Sequence, residues 1–413
     1  MQDVRFPYPR WSSLVLALAL AACGGDDGGS AVDVDASPTV DGGPEVDAPP
    51  ACLPALPSAM VIPAGGSMAP ASGGLAMMTS TGGLAVYGYD SALHQVVRSW
   101  DGTQYATHAV MSDVNGGFGR IALGEVDGRV VVLGDVSDSS TDSNKLRAWI
   151  QLGSGAFATG ERIANVVSAE VRSTRFDPST HVLAAAGGDQ SHSLLSFERT
   201  AAGTWLVGSV AQQSGPGSLY AAGVGTFTDG TAAIAGTGTQ GFNLYRRSGT
   251  QWSFYRTLAS GEVWDARLEF PPPGATGTVA VGVYRDPISH HPRGVFVDLA
   301  TGMPIGASDL LPEAVNVAAV DSTVVFEPGT ARGKILFVDD SFNQPRAWIV
   351  SFEGASFTPA QALRPDLVFG TYPHLFYHPC GGYQILHVSR APTAPADSAP
   401  MLLEPLATFA PGL

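Results

Sequence analysis

An all-β chain built from seven repeated four-stranded units is what the sequence predicts, and three observations predict it. Of 413 residues, 50 are Gly and 30 are Pro, residues that interrupt helices. Short β-branched and aromatic runs alternate with Gly, Asp or Asn turns at a period near 50 residues from position 72 onward. An exact tetrapeptide, Arg147-Ala148-Trp149-Ile150, returns 199 residues later as Arg346-Ala347-Trp348-Ile349, which is about four periods. Hydrophobic content of 45% with 14% charged residues supplies a large core and excludes a disordered chain.

The first element is an export segment. Arg5 and Arg10 precede an apolar run, Leu14 to Ala22, that ends in Leu20-Ala21-Ala22-Cys23. Nine residues are too few to cross a hydrocarbon core, which takes roughly 20 as a helix. Leu-Ala-Ala-Cys resembles the lipobox of bacterial lipoproteins, and the resemblance implies cleavage of residues 1–22 and acylation of Cys23. It also implies an outer-membrane lipoprotein of the bacterial cell envelope, periplasmic or surface-exposed, with the membrane as partner through its lipid. Residues 23–52 follow as a flexible acidic tether rich in Asp, Pro, Val and Ala. In composition and lipobox the chain resembles surface lipoproteins of GC-rich deltaproteobacteria.

Residues 53–413 form the predicted globular domain. A glycine closes a strand pair at Gly102, Gly155, Gly203, Gly249, Gly302 and Gly354, at intervals of 53, 48, 46, 53 and 52 residues. Turns between first and second strands are expected at Gly82-Gly83, Asp127-Gly128, Ser179-Thr180, Asp229-Gly230, Gly277, Gly333 and Gly381-Gly382, which makes seven units. A lone four-stranded unit of this length cannot bury both sheet faces. Radial stacking of seven into a β-propeller solves that. The seventh unit lacks a fourth strand, and the N-terminal segment Ala59 to Pro63 is expected to supply it, closing the ring and removing exposed edges.

With Cys23 committed to lipid, Cys52 and Cys380 remain in an oxidising setting where an even pair predicts a disulfide. In a four-stranded meander both reach the same rim.

Charge excludes one class of partner. The chain carries net charge -15 and only two lysines, Lys145 and Lys334; the globular part alone has 29 acidic against 20 basic residues. Nucleic acid is therefore not an expected partner. Signatures of zinc hydrolases, dithiol redox proteins, serine hydrolases and P-loop enzymes are missing. Gly236-Thr237-Gly238-Thr239-Gln240-Gly241 matches a dinucleotide fingerprint in letters but runs into a strand, so it reads as a hairpin turn.

Candidate binding residues follow from the meander. Loops between second and third strands share one rim with the linkers between units, which gathers Ser137 to Lys145 and Arg285 to Arg293. Phe118, Tyr220, Trp264 and Tyr372 begin first strands on that rim, where rings stack on a ligand or pack between units. Arg285, His290 and His291 would orient a ligand there. Asp138, Ser140, Asp142 and Asn144 place four oxygen-bearing side chains at alternate positions, donors that suit Ca²⁺. That stretch resembles the calcium loops of integrin-type propellers but lacks the turn glycine and last acidic ligand, so a solvated loop is the other reading. No other cofactor is implied. Asp90, Asp135, Asp189, Asp286 and Asp340 end second strands and are expected to accept hydrogen bonds from the next turn's backbone.

Function stays open among three classes. A binding module for an extracellular or periplasmic protein or glycan requires no catalysis. A structural envelope component is an alternative, and so is a propeller-type enzyme acting on a polysaccharide through groups such as Glu170, Asp265 and Arg267.

Overall fold

Among the described residues the strands form seven antiparallel sheets, six of them runs of consecutive strands and the seventh completed by the N-terminal strand. The computed structural model describes the strands from Met60 to Pro405 and most joining turns; residues 1–59, 63–75, 111–115, 164–172, 213–219, 312–319, 364–373 and 389–400, with several shorter segments, lie outside the described residues. Among the described residues the one helical element is a 3-10 turn, Leu406–Thr408. Pro49–Leu413 belongs to one compact unit.

The fourth sheet shows how the repeat works. Its strands are Tyr220–Thr226, Ala232–Gly238, Gly241–Ser248 and Gln251–Ala259, paired in that order. The second strand is buried at every position, whereas the fourth is mostly exposed. Burial on both faces explains why Ala232 to Gly238 shows no polar alternation: a neighbouring sheet covers each side. The Gly238–Gly241 link is a two-residue hairpin, as the strand after the glycine pattern requires.

The first strands are Ala76–Met78, Gly116–Val126, Ser173–Asp177, Tyr220–Thr226, Ala266–Glu269, Val320–Phe326 and His374–His378. Each touches the first strand of the next sheet, and that of the seventh touches that of the first. The approach is close: a Cβ on Gly223 would overlap the Leu268 carbonyl oxygen of the neighbouring first strand.

Apolar side chains fill the spaces between consecutive sheets. Phe242, Leu244, Tyr284 and Val295 pack between the fourth and fifth, and Phe296, Ile335 and Phe352 between the fifth and sixth. Phe197 of the third sheet is 1% exposed against Leu133 and Leu146 of the second. Fully burying one such ring contributes about 1.5–3 kcal/mol, so the stacking, not any single sheet, holds the fold. The repeated tetrapeptides lie on third strands, Asp142–Ile150 and Arg346–Glu353, with both tryptophans buried. Trp348 stacks on Phe337 with centroids 5.9 Å apart.

In the seventh sheet, Met60–Ile62 pairs antiparallel with Met401–Pro405, with Met60 opposite Leu403 and Ile62 opposite Met401. The N-terminal strand thus stands fourth in the last sheet.

The expected turn glycines Gly128, Gly155, Gly203, Gly230, Gly249, Gly302, Gly354 and Gly382 all have positive φ, the conformation that glycine adopts without Cβ strain. Two expectations need correction. Gly333 lies inside the strand Arg332–Asp339, and the turn before it uses Gly329 at φ 72°. In the fifth sheet Gly277 lies in the connection between the first and second strands, but the positive-φ glycine of that connection is Gly274. A third correction concerns the expected long loop Ser137 to Lys145. The second strand of the second sheet runs to Asp138 and the third begins at Asp142, so strand pairing takes up most of it.

Candidate functional site

The rim predicted to bear loops is assembled from three segments of the fourth and fifth sheets. Val263, in the linker between these sheets, bridges to Gly238 at the fourth sheet's second-to-third hairpin; its N–H donates to Gly238 O at 3.0 Å. Gly261 of the same linker lies under Pro287, in the fifth sheet's second-to-third loop. Hairpin, linker and loop therefore gather on one rim, as the meander requires.

Asp286 builds the loop. Its Oδ1 accepts from Ile288 N at 2.9 Å and Ser289 N at 2.8 Å, and the His290 N–H returns to Asp286 O at 2.9 Å. Partial burial pushes the Asp286 carboxyl up, but the Ser289 and Ile288 N–H groups outweigh it and hold it below the ordinary carboxylate range. Arg293 pairs with Asp286 at 3.4 Å and with Asp309 at 3.0 Å, tying the loop to the outer strand Pro304–Asp309. His290 takes φ 59°, the one positive-φ non-glycine among the described residues. The result is a braced tip with Ile288 at 90% exposure beside exposed His290. An apolar side chain on a fixed loop can enter a partner's pocket while the imidazoles beside it donate or accept hydrogen bonds.

The predicted ligand residues distribute as follows. Arg285 ends the strand Val279–Arg285 opposite Pro292, at the base of the tip that carries His290 and His291. Tyr220 begins its first strand, half-buried and opposite Thr237. Phe118 lies on its first strand opposite Val136, beside a bulge. Trp264 and Tyr372 lie outside the described residues, as do Cys23, Cys52 and Cys380. Asp138 pairs in register with Asp142, and Asn144 follows on the same strand; Ser140 lies outside the described residues. Among the described residues no group of three or more His, Cys, Asp or Glu is arranged to hold a metal ion.

Several polar groups prove to be structural. Asp265 and Glu170 lie outside the described residues, while Arg267 reaches Glu269 at 3.4 Å and Ser322 O at 3.4 Å, joining the fifth and sixth first strands. Lys334 donates to Ser351 Oγ at 2.8 Å and sits 5.2 Å over the Tyr383 ring; burial lowers its pKa. His378 is 1% exposed, and its Nδ1 accepts from Gly381 N at 3.1 Å.

Sequence reasoning passed over the flanks between sheets. A groove of about 510 Å³ runs between the outer strands of the fifth and sixth sheets, where Phe296 stacks on Phe357 at 4.1 Å. A smaller one lies between the third and fourth sheets, where Glu198, Arg247 and Trp252 meet. The available signal was the pairing of Arg199 with Trp205 and Arg247 with Trp252 around the turn glycines.

No family model matches the chain, and no curated protein sequence matches it. Solved structures do. Polysaccharide lyase Uly1 is 12% identical with a TM-score of 0.52, over 81% of this chain and 90% of that one. AofleA from Arthrobotrys oligospora is 10% identical with a TM-score of 0.46, over 74% of this chain and 90% of that one. At such identities the likeness to Uly1 extends to the fold alone.

Proposed function

We propose that the chain is a ligand-binding module displayed at a bacterial envelope, its seven sheets forming the blades of a closed β-propeller. Closure is supported by the cyclic contacts of the first strands and by Met60–Ile62 completing the seventh sheet. Anchoring by acylated Cys23 and projection on the 23–52 tether rest on the Leu20-Ala21-Ala22-Cys23 motif and on composition. This reading requires no cofactor; calcium at Asp138, Ser140, Asp142 and Asn144 is an alternative to a solvated polar stretch that rests on their spacing alone.

The observation that carries the binding role is the braced tip at Asp286 to His291 on the rim where hairpin, linker and loop converge. Fixing a contact loop before encounter removes part of the ordering cost of association. The ligand is an extracellular or periplasmic protein or glycan; the polysaccharide named for Uly1 lends no weight, because that likeness is one of fold. The test is binding of the full chain to immobilised bacterial polysaccharides and to envelope proteins, wild type against a triple variant Ile288→Ser, His290→Ala, His291→Ala. Loss of binding by tenfold or more with unchanged melting temperature supports the rim. Equal binding by the two proteins overturns it.

A further inference from the structure

Arg, Trp and an acid meet twice between consecutive sheets, and the two sets differ in a way that points to a ligand. In the seam between the second and third sheets, Arg199 and Trp205 are cross-strand partners, and both reach back to Glu161 of the preceding sheet. Trp205 Nε1 donates to Glu161 Oε2 at 3.2 Å and Arg199 lies 3.7 Å from Oε1, so this set closes on itself.

In the next seam Arg247 and Trp252 are again cross-strand partners, and the acid from the preceding sheet is Glu198, 2.6 Å from Arg247 Nη2. Here the indole does not reach the acid. It lies along Gly208, where a Cβ would come within 3.6 Å of its Cδ1. Among the described residues the Trp252 indole N–H has no hydrogen-bond partner. The space left is a groove of about 240 Å³ walled by Leu206 and Trp252, with the Glu198–Arg247 pair at its edge.

We propose that this groove binds a single neutral sugar ring. Leu206, on the same strand face as its cross-strand partner Glu198, is 55% exposed, so with Trp252 it offers an apolar wall to the C–H face of a pyranose. Arg247 spends Nε on Gly249 O and Nη2 on Glu198, which leaves donors on the fork, and the carboxylate keeps further lone pairs. Adjacent ring hydroxyls both donate and accept, which matches an acid and a guanidinium side by side. The pair is already neutral as a unit, so an anionic or cationic ligand would have to break it, while a neutral polyol adds to it. The volume equals roughly eight waters at about 30 Å³ each, room for one ring rather than a chain. This site is independent of the rim and would survive loss of the tip.

The probes are the methyl glycosides of glucose, galactose, mannose and fucose, with sodium glucuronate as the charged control, observed by saturation-transfer NMR on the full chain. Transfer to ring C–H protons of at least one neutral glycoside is expected, none to glucuronate, and a loss of tenfold or more in affinity for Glu198→Gln and for Trp252→Ala. Leu206→Lys changes an exposed wall position and tests the groove should either of those variants misfold; it should weaken binding equally. The rim triple variant should bind as wild type does. Transfer from no neutral glycoside, preference for glucuronate, or binding unchanged in the folded groove variants overturns the proposal.

Discussion

Gly333 lies beneath the ring of Phe352, its cross-strand partner, so closely that a Cβ there would overlap both the ring's Cζ and Val325 O on the opposite strand. Its φ is not the constraint, since it lies within a regular strand. Space is. Gly333→Ala should therefore push Phe352 against Phe296 and Phe326, which it meets edge-on, and destabilise by about 1–3 kcal/mol. Thermal unfolding measures this; the neighbouring turn variant Gly329→Asn, where no atom stands within 4 Å of a Cβ, should cost far less.

Removing the Asp286 side chain takes acceptors from Ile288 N and Ser289 N and a partner from Arg293. Asp286→Ala should lower stability by about 1 kcal/mol, on the scale of a lost side-chain cap, and raise hydrogen exchange at residues 288–291. Asp286→Asn keeps one acceptor and should restore most of the protection.

His378 carries a pH dependence of definite sign. Burial lowers its pKa from 6.5, and its Nδ1 accepts a hydrogen bond from Gly381, a role that protonation would abolish. A histidine held neutral in this way stabilises the fold fully above its unfolded pKa and loses that contribution as pH falls through the lower folded value. Melting temperature should decline as pH drops below about 6.5. In His378→Gln the decline should be shallower, with a remainder from His108, whose pKa burial also lowers.

The Cys52–Cys380 bridge, proposed from cysteine count and compartment, would close a loop long enough to stabilise by roughly 3–5 kcal/mol. Peptide mapping without reductant on exported protein should recover the linked pair and not two free thiols.

Turn chemistry explains what could be read in the chain. Gly203, Gly249, Gly302 and Gly354 stand at φ 79°, 61°, 69° and 58°, so their spacing was a direct record of strand pairs. Gly333 misled because a glycine chosen for close approach looks like a glycine chosen for backbone freedom; Pro328-Gly329, five and four residues earlier, was the true turn. The Asp138 to Lys145 stretch was polar enough to read as loop, yet backbone pairing carries it as strand. Glu198 escaped notice because its partner Arg247 belongs to the following sheet, and no local pattern links residues about one period apart. Exposed Ile288 was invisible for a related reason: its neighbours predict a polar tip, and only the Asp286 bonds show how it is held outward.

Closure of the ring by the N-terminal strand is the claim on which the rest depends, and one cross-link tests it. Val61 and Leu402 are Cα partners in an antiparallel pair, where Cα separations of about 4.5–5.5 Å fall within the range a disulfide spans. Full-length Val61→Cys/Leu402→Cys protein, oxidised while folded and mapped by mass spectrometry without reductant, should yield a peptide joining positions 61 and 402. Recovery of both engineered thiols unlinked, from protein whose circular dichroism matches wild type, would contradict a closed propeller.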